Sequence, residues 1–315
     1  GGAAAAPNAN PSPNPNANPN AAPALKHLPL RSFVPLPATA AQLDKMVAKL
    51  LEFDAVVPTP LGEDGRIALE NIRATLANTS RYHSSKFSDA QGRVLAALLR
   101  WPAAQVFPAL DITRAALAHP DGGRSLSVAF GSAAAAIAHV AGVLKANADA
   151  MPVVVTSLKA LSNALCRSDI AAALASGPGF AEAFDAVAAA ASAAHAHGGA
   201  GNKAIAGALG TLLLNLSALA AGTARGGSGP RVGPSDVVDR VAALTGLLLE
   251  AQVQSAKKSA DGIVRALLAV GTLAQQGHAP PEASWAAAKQ NAATLASALG
   301  GDAVAVWEEC QAVGL

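Results

Sequence analysis

The chain has 315 residues, 51% of them hydrophobic, only 14% charged and 3% aromatic, with 23 Lys and Arg against 21 Asp and Glu. That length allows one large domain or two ordinary ones, and the near-neutral balance removes a global electrostatic drive towards nucleic acid. Two cysteines, Cys166 and Cys310, have no CxxC or His-spaced partner, which argues against a zinc site or a disulfide framework and suits a reducing compartment.

Residues 1–24, GGAAAAPNANPSPNPNANPNAAPA, are almost entirely Pro, Asn and Ala. Prolines at every second to fourth position remove donors and oppose helix, so a disordered linker is expected. The first residues lack the basic-then-apolar order of a secretory signal. No uninterrupted apolar run without Gly, Ser, Asn or charge reaches membrane-spanning length. A soluble intracellular protein is therefore expected.

From LKHLPLRSFVPLP onward the chain becomes amphipathic. Residues 25–315 are read as one folded unit, with an N-terminal extension over 25–60 and helical repeats over 61–315. Hydrophobic spacing and Gly/Pro punctuation predict helices over 40–53, 66–78, 88–100, 107–118, 125–147, 152–166, 179–196, 201–221, 235–255, 260–276, 281–299 and 302–311. Alanine favours helix and packs poorly in a sheet, so the class is all-α. Many helices of similar length with short links predict a stacked solenoid, and an irregular period of roughly 40 to 55 residues is compatible with armadillo or HEAT geometry.

In WPAAQVFPALDITRAALAHP, an acid and a base, Asp111 and Arg114, stand three apart in an apolar helix. In PVVVTSLKALSNALC, Val154, Leu158, Leu161 and Leu165 form a buried stripe, while Lys159 and Asn163 share another face. Thr211 and Asn215 are likewise four apart in NKAIAGALGTLLLNLSALA, and Arg265 is the only base between Asp261 and Gln275. Two readings stand side by side. A lone base amid alanines can simply keep a helix end wet, and Asp261 with Arg265 can form a pair contributing a few tenths of a kcal/mol. The asparagines resist that account, because a buried amide without partners costs about 1–3 kcal/mol. Something must bond to them, either neighbouring backbone or an extended peptide lying across the helices.

Catalytic patterns are missing. His195 and His197 are two apart, where helical side chains diverge, and suit a helix C-terminus better than a metal. Cys166 has the small buried cysteine as its ordinary reading. GPGFAEAF lacks the Lys-Ser/Thr of a phosphate loop, and Lys257 and Lys258 make too small a patch for nucleic acid. A non-enzyme without cofactor or metal is expected.

Several segments together resemble one known family. WPAAQVFPALDITRAALAHP is similar to the start of the PUL domain, found at the C-terminus of phospholipase A2-activating protein, where Trp-Pro and Phe-Pro-Ala-Leu-Asp lead into an Arg-containing helix ending in His-Pro. NKAIAGALGTLLLNLSALA, IVRALLAVGTL and LASALG resemble further segments of that domain in the same order, over about Phe33 to Leu315. The resemblance implies an armadillo-like stack, a non-catalytic adaptor whose concave basic groove binds the acidic C-terminal tail of the AAA+ unfoldase valosin-containing protein. It also implies work in ubiquitin-dependent protein handling in cytoplasm and nucleus, with ubiquitin bound by upstream domains. By position, Lys159 and Arg265 look like the family's groove bases, with Asn163, Asn215 and Arg114 as further peptide-binding residues. A Lys at 159 keeps the charge but lacks the bidentate fork of an Arg. The alternative is a peptide-binding module of a thioredoxin-like or PPPDE-type cysteine-peptidase protein. A monomer is expected, with no membrane or nucleic-acid partner.

If residues 1–24 bury nothing, their deletion should leave the melting temperature within about a degree. A calorimetric drop of several degrees would show that they dock on the folded part.

Overall fold

A computed structural model of the chain describes residues 25–175, 179–196, 201–222 and 234–315. The expected linker at 1–24, His197 and the glycine-rich loop over 223–233 lie outside the described residues. Among the described residues the regular structure is helical throughout, without strands. The α-helices are α1 (Ala40–Asp54), α2 (Gly62–Ala77), α3 (Asp89–Leu98), α4 (Phe107–Ala118), α5 (Gly122–Phe130), α6 (Ala133–Ala146) and α7 (Met151–Leu165). They continue as α8 (Ser168–Ala175), α9 (Gly179–Ala196), α10 (Lys203–Ala221), α11 (Pro234–Gln254), α12 (Ala260–Gln275), α13 (Glu282–Leu299) and α14 (Gly301–Ala312).

Local chemistry explains many boundaries. Thr39 and Ser88 open α1 and α3 with capping boxes: each hydroxyl accepts the N–H of a glutamine three residues on, Gln42 or Gln91, whose side chain accepts the cap N–H in return. Pro108 and Pro152 sit in the first turns of α4 and α7, where a missing N–H costs nothing. The expected single helix over 125–147 is instead α5 and α6, bent by 86°. Gly131 takes a left-handed conformation and Ser132 caps α6 by accepting the N–H of Ala135 at 3.0 Å. The sequence reading also passed over α8, whose eight residues are too few to show a period beside SGPG.

Packing order converts this string into a solenoid. Helices α1, α4, α7, α10, α12 and α14 each pack on the next and form an inner row. Two helices separate successive members of that row as far as α10, and only one (α11, then α13) thereafter. Of the outer helices, α6 packs on α9, α9 on α11, and α11 on α13. Residues 40–60, assigned to an extension from sequence, contain α1, the first member of the inner row.

The core runs continuously through the stack. Helix α10 is long and apolar enough to cross a membrane by length and composition, and 83% of its most apolar stretch is buried inside the fold. It lies against α12 with backbones almost touching. A Cβ at Gly210 would fall 2.5 Å from the Gly262 carbonyl oxygen, and one at Gly262 would fall 2.6 Å from that of Ala206. Ser259 also donates to the Lys203 carbonyl, and Arg265 reaches Thr211, so the two helices run parallel in fixed register.

His119, just past α4, is fully buried and pins the chain before α3. The Asp121 N–H donates to its Nδ1, so Nε2 carries the proton and donates to Ser85 at 2.9 Å. Burial pushes its pKa down, with Arg167 adding to that effect against the opposing pull of Asp121.

The glycine contact generates a paired test. Gly210→Ala should destabilise the domain by about 1–3 kcal/mol, because a Cβ there displaces packed backbone. Gly207→Ala, where a Cβ meets nothing within 4 Å, should be neutral or stabilising by up to about 1 kcal/mol through helix propensity. Thermal melts of the two variants read the difference.

Candidate peptide-binding groove

Residues 25–39 form an extended strap across the inner row. Prolines at 29, 35 and 37 bar helix here and hold the residues before them extended. The strap starts on α14, where the Glu309 carboxylate accepts three successive backbone N–H groups, from Lys26 (2.8 Å), His27 (2.9 Å) and Leu28 (3.0 Å). The His27 ring nitrogen Nδ1 lies 2.9 Å from the same carboxylate. Leu28 is buried over Gly271 of α12, whose lack of a side chain makes its space. Leu30 N–H then donates to Thr272 Oγ1 of α12 at 3.1 Å.

Next come the two asparagines. Asn215 of α10 accepts the Val34 N–H at 2.7 Å and donates to the Val34 carbonyl at 3.0 Å. Asn163 of α7 treats Leu36 identically, accepting at 2.7 Å and donating at 3.0 Å. Val34 and Leu36 are two apart, so their backbone groups point to one side of an extended chain. Pro35 and Pro37 fall at the alternate positions, so the missing donors are on the side away from the amides. On α4, Arg114 Nη1 donates to the carbonyls of Leu36 (2.5 Å) and Pro37 (3.0 Å) while its Nε pairs with Asp111 at 2.6 Å.

Each asparagine also ties one inner helix to the preceding one. Asn163 Nδ2 donates to the Arg114 carbonyl at 2.8 Å, and Asn215 Nδ2 to Ser162 Oγ at 3.0 Å. Both amides are fully buried and satisfied. The partner required by the sequence argument is therefore neighbouring backbone and an extended peptide together, and that peptide is the chain's own.

Lys159 and Thr211 lie one helical turn before Asn163 and Asn215, and Arg265 donates to Thr211 Oγ1 at 2.6 Å. These residues define a second row, alongside the strap and nearer the N-terminal ends of the inner helices. Lys159 is half-buried, with no hydrogen-bond acceptor among the described residues. Burial, then the charge of Arg114, pushes its pKa down, against the opposing pull of Asp111. Arg265 meets no carboxylate among the described residues, and the pair considered with Asp261 does not form.

The five residues singled out from sequence thus occupy one face in two roles. Asn163, Asn215 and Arg114 grip the strap, whereas Lys159 and Arg265 stand beside it. Arg114 is no solvated surface base but a buried one, 5% exposed. Sequence reasoning missed Glu309, Thr272 and Ser162, because nothing local marks them. It missed the strap too, although Pro at 29, 35 and 37 was a legible signal for extended chain. The Cys166 thiol lies 3.5 Å from the Ser162 carbonyl and 3.4 Å from Asn215 Nδ2. Burial, with a contribution from Glu309, pushes the Cys310 thiol up to about 12. His195 is half-buried near the end of α9.

Compared with known families, the chain matches the model described as the PUL domain over residues 28–310. No curated protein matches it.

The Glu309 anchor sets a pH dependence. Burial alone would raise its pKa, but the N–H groups of His27, Lys26 and Leu28 and the His27 ring hold it below the ordinary 4.5. A depressed carboxyl contributes stability above its unfolded value that is lost as pH falls through its folded value. The amide resonances of Lys26, His27 and Leu28 should therefore shift together with a midpoint below 4.5 in an NMR titration. Glu309→Gln should abolish that shared transition.

Proposed function

The chain belongs to the PUL domain family of armadillo-like protein-interaction modules, and we propose that its ligand is the acidic C-terminal tail of the AAA+ unfoldase valosin-containing protein. The observation that carries the reading is the pair of cations, Lys159 and Arg265, on the strap-bearing face without a carboxylate partner. A half-buried ammonium with no hydrogen-bond acceptor has lost hydration that the pull of Asp111 does not make good, and an incoming carboxylate repairs the deficit.

Asn163, Asn215 and Arg114 serve this site by fixing the surface against which the ligand lies. Thr211 aims the guanidinium of Arg265: its hydroxyl donates to the Gly207 carbonyl and so presents a lone pair to Nη1. Binding by such a site is an adaptor function without catalysis. With that ligand the module would work as an adaptor in ubiquitin-dependent protein handling, in cytoplasm and nucleus.

Charge reversal tests the reading. Lys159→Glu or Arg265→Glu should cost on the order of 2–4 kcal/mol, roughly 30- to 1000-fold in affinity for a synthetic tail peptide by calorimetry. Circular dichroism should match the parent chain, since neither cation forms an ion pair among the described residues and Arg265 gives up a single hydrogen bond, to Thr211. Reversal of Lys257 or Lys258, in the link between α11 and α12, is the control and should change affinity much less. Normal binding by both groove variants would place the ligand elsewhere.

A further inference from the structure

Helices α2 and α3 lie outside the inner row, and a groove of about 570 Å³ runs between them. Neither the strap nor any inner helix contributes to its lining. We propose that this groove docks an amphipathic helix of a partner protein, with an apolar stripe on its buried face and acidic residues seven apart on the flank beside α3. The proposal is independent of the tail reading above.

Small residues open the groove. Gly65 and Ala68 line it from α2, Ala90 and Ala97 from α3, so the two helices leave a trough between them. Leu61, Val94 and Trp101 add larger apolar side chains to the lining, and Ile67, next to Ala68 on α2, is 55% exposed. The entry to α2 is fixed before a partner arrives. Buried Asp54 accepts the Leu61 N–H at 2.6 Å and the Arg66 Nε–H at 2.7 Å. A Cβ at Gly65 would fall 2.8 Å from Leu61 Cβ, so only a glycine leaves this leucine its seat.

Charge selects the occupant. The other arginines of α1 to α5 each hold a carboxylate: Arg66 with Asp54, Arg73 with Glu70 and Asp44, Arg114 with Asp111, and Arg124 with Asp121. Arg93 and Arg100, both exposed and both lining the groove on the α3 side, hold none among the described residues. Arg100 donates to the Ala96 carbonyl at 3.3 Å and lies over the Phe130 ring, which keeps its guanidinium in place. Asp64 lines the α2 wall yet pairs with neither arginine, so the walls stand too far apart to neutralise each other. An occupant with carboxylates is drawn to the arginines and repelled by Asp64, which decides which of its flanks meets α3.

Spacing and backbone chemistry make that occupant a helix. Arg93 and Arg100 are seven residues apart, about 10.5 Å along a helix, and acids seven apart on an incoming helix repeat at the same distance. Both walls are helices whose backbone groups are spent internally. An extended peptide would press unpaired N–H and C=O groups against them, whereas a helix arrives with its backbone already satisfied.

The test uses a synthetic helical peptide of about 18 residues, or five turns. It carries leucines at i, i+3, i+4 and i+7 spacing, glutamates seven apart along one flank and glutamines elsewhere. A twin peptide has lysine in place of every glutamate. Calorimetry reads affinity, and NMR reads place through the three tryptophan indole N–H signals, with that of Trp101 assigned by Trp101→Phe. The glutamate peptide should bind the whole chain in the micromolar range and shift the Trp101 signal, leaving those of Trp285 and Trp307 unmoved. The lysine twin should bind at least about tenfold more weakly. Arg93→Glu combined with Arg100→Glu should invert that preference at an unchanged melting temperature, since both side chains are exposed. No binding of the glutamate peptide overturns the proposal. Equal binding of the twin overturns the charge selection on which it stands, and binding that leaves the Trp101 signal in place puts the helix on another surface and overturns it as well.

Discussion

Two primary amides buried among leucines and alanines are the constraint from which the rest of this structure follows. An asparagine side chain brings two N–H donors and an acceptor oxygen, and each left unpaired in the dry interior is costly. Asn163 and Asn215 meet that demand from two directions, the preceding inner helix and an extended piece of backbone. Because the second partner must present an N–H and a C=O from one residue, only an extended chain fits. The prolines of the strap make it such a chain. Their own missing donors alternate with the residues the amides hold.

The same economy explains where charge is tolerated. Asp54 is buried, yet it accepts the Leu61 N–H at 2.6 Å and pairs with Arg66 at 2.7 Å. Arg114 is buried, yet it meets Asp111 and two carbonyls. Glu309 gathers three N–H groups together with the His27 ring. Against that background the half-buried ammonium of Lys159 is an exception. Its burial outweighs the pull of Asp111, and no hydrogen bond among the described residues offsets the lost hydration.

Small side chains let the scaffold hold these groups in register. The contact of Gly210 with Gly262 brings α10 and α12 to backbone distance, close enough for Arg265 to reach across to Thr211. Bulkier residues at either glycine would push the helices apart, and the guanidinium would lose the hydroxyl that aims it. Small residues at this one contact therefore keep Arg265 within reach of Thr211.

Much of this was legible in the residues themselves. Alanine content and the period of Val154, Leu158, Leu161 and Leu165 determine an all-α chain, because helix propensity and one-sided burial are local properties. The i,i+4 spacing of Lys159 with Asn163, and of Thr211 with Asn215, puts each pair on one face whatever surrounds it. The need of the asparagines for partners follows from amide chemistry alone. Which partners they take does not: Val34 and Leu36 lie far away in sequence, and their pairing depends on how six inner helices stack. The bend at Gly131 and the short α8 were hidden for a related reason, since a few residues carry too little periodicity to outweigh their tertiary contacts. Glu309 was invisible as an anchor, because a carboxylate shows nothing of its role until the fold brings three N–H groups to it. Residue types state what must be satisfied, and only the tertiary structure decides by whom, because hydrogen bonds across hundreds of residues leave no local trace.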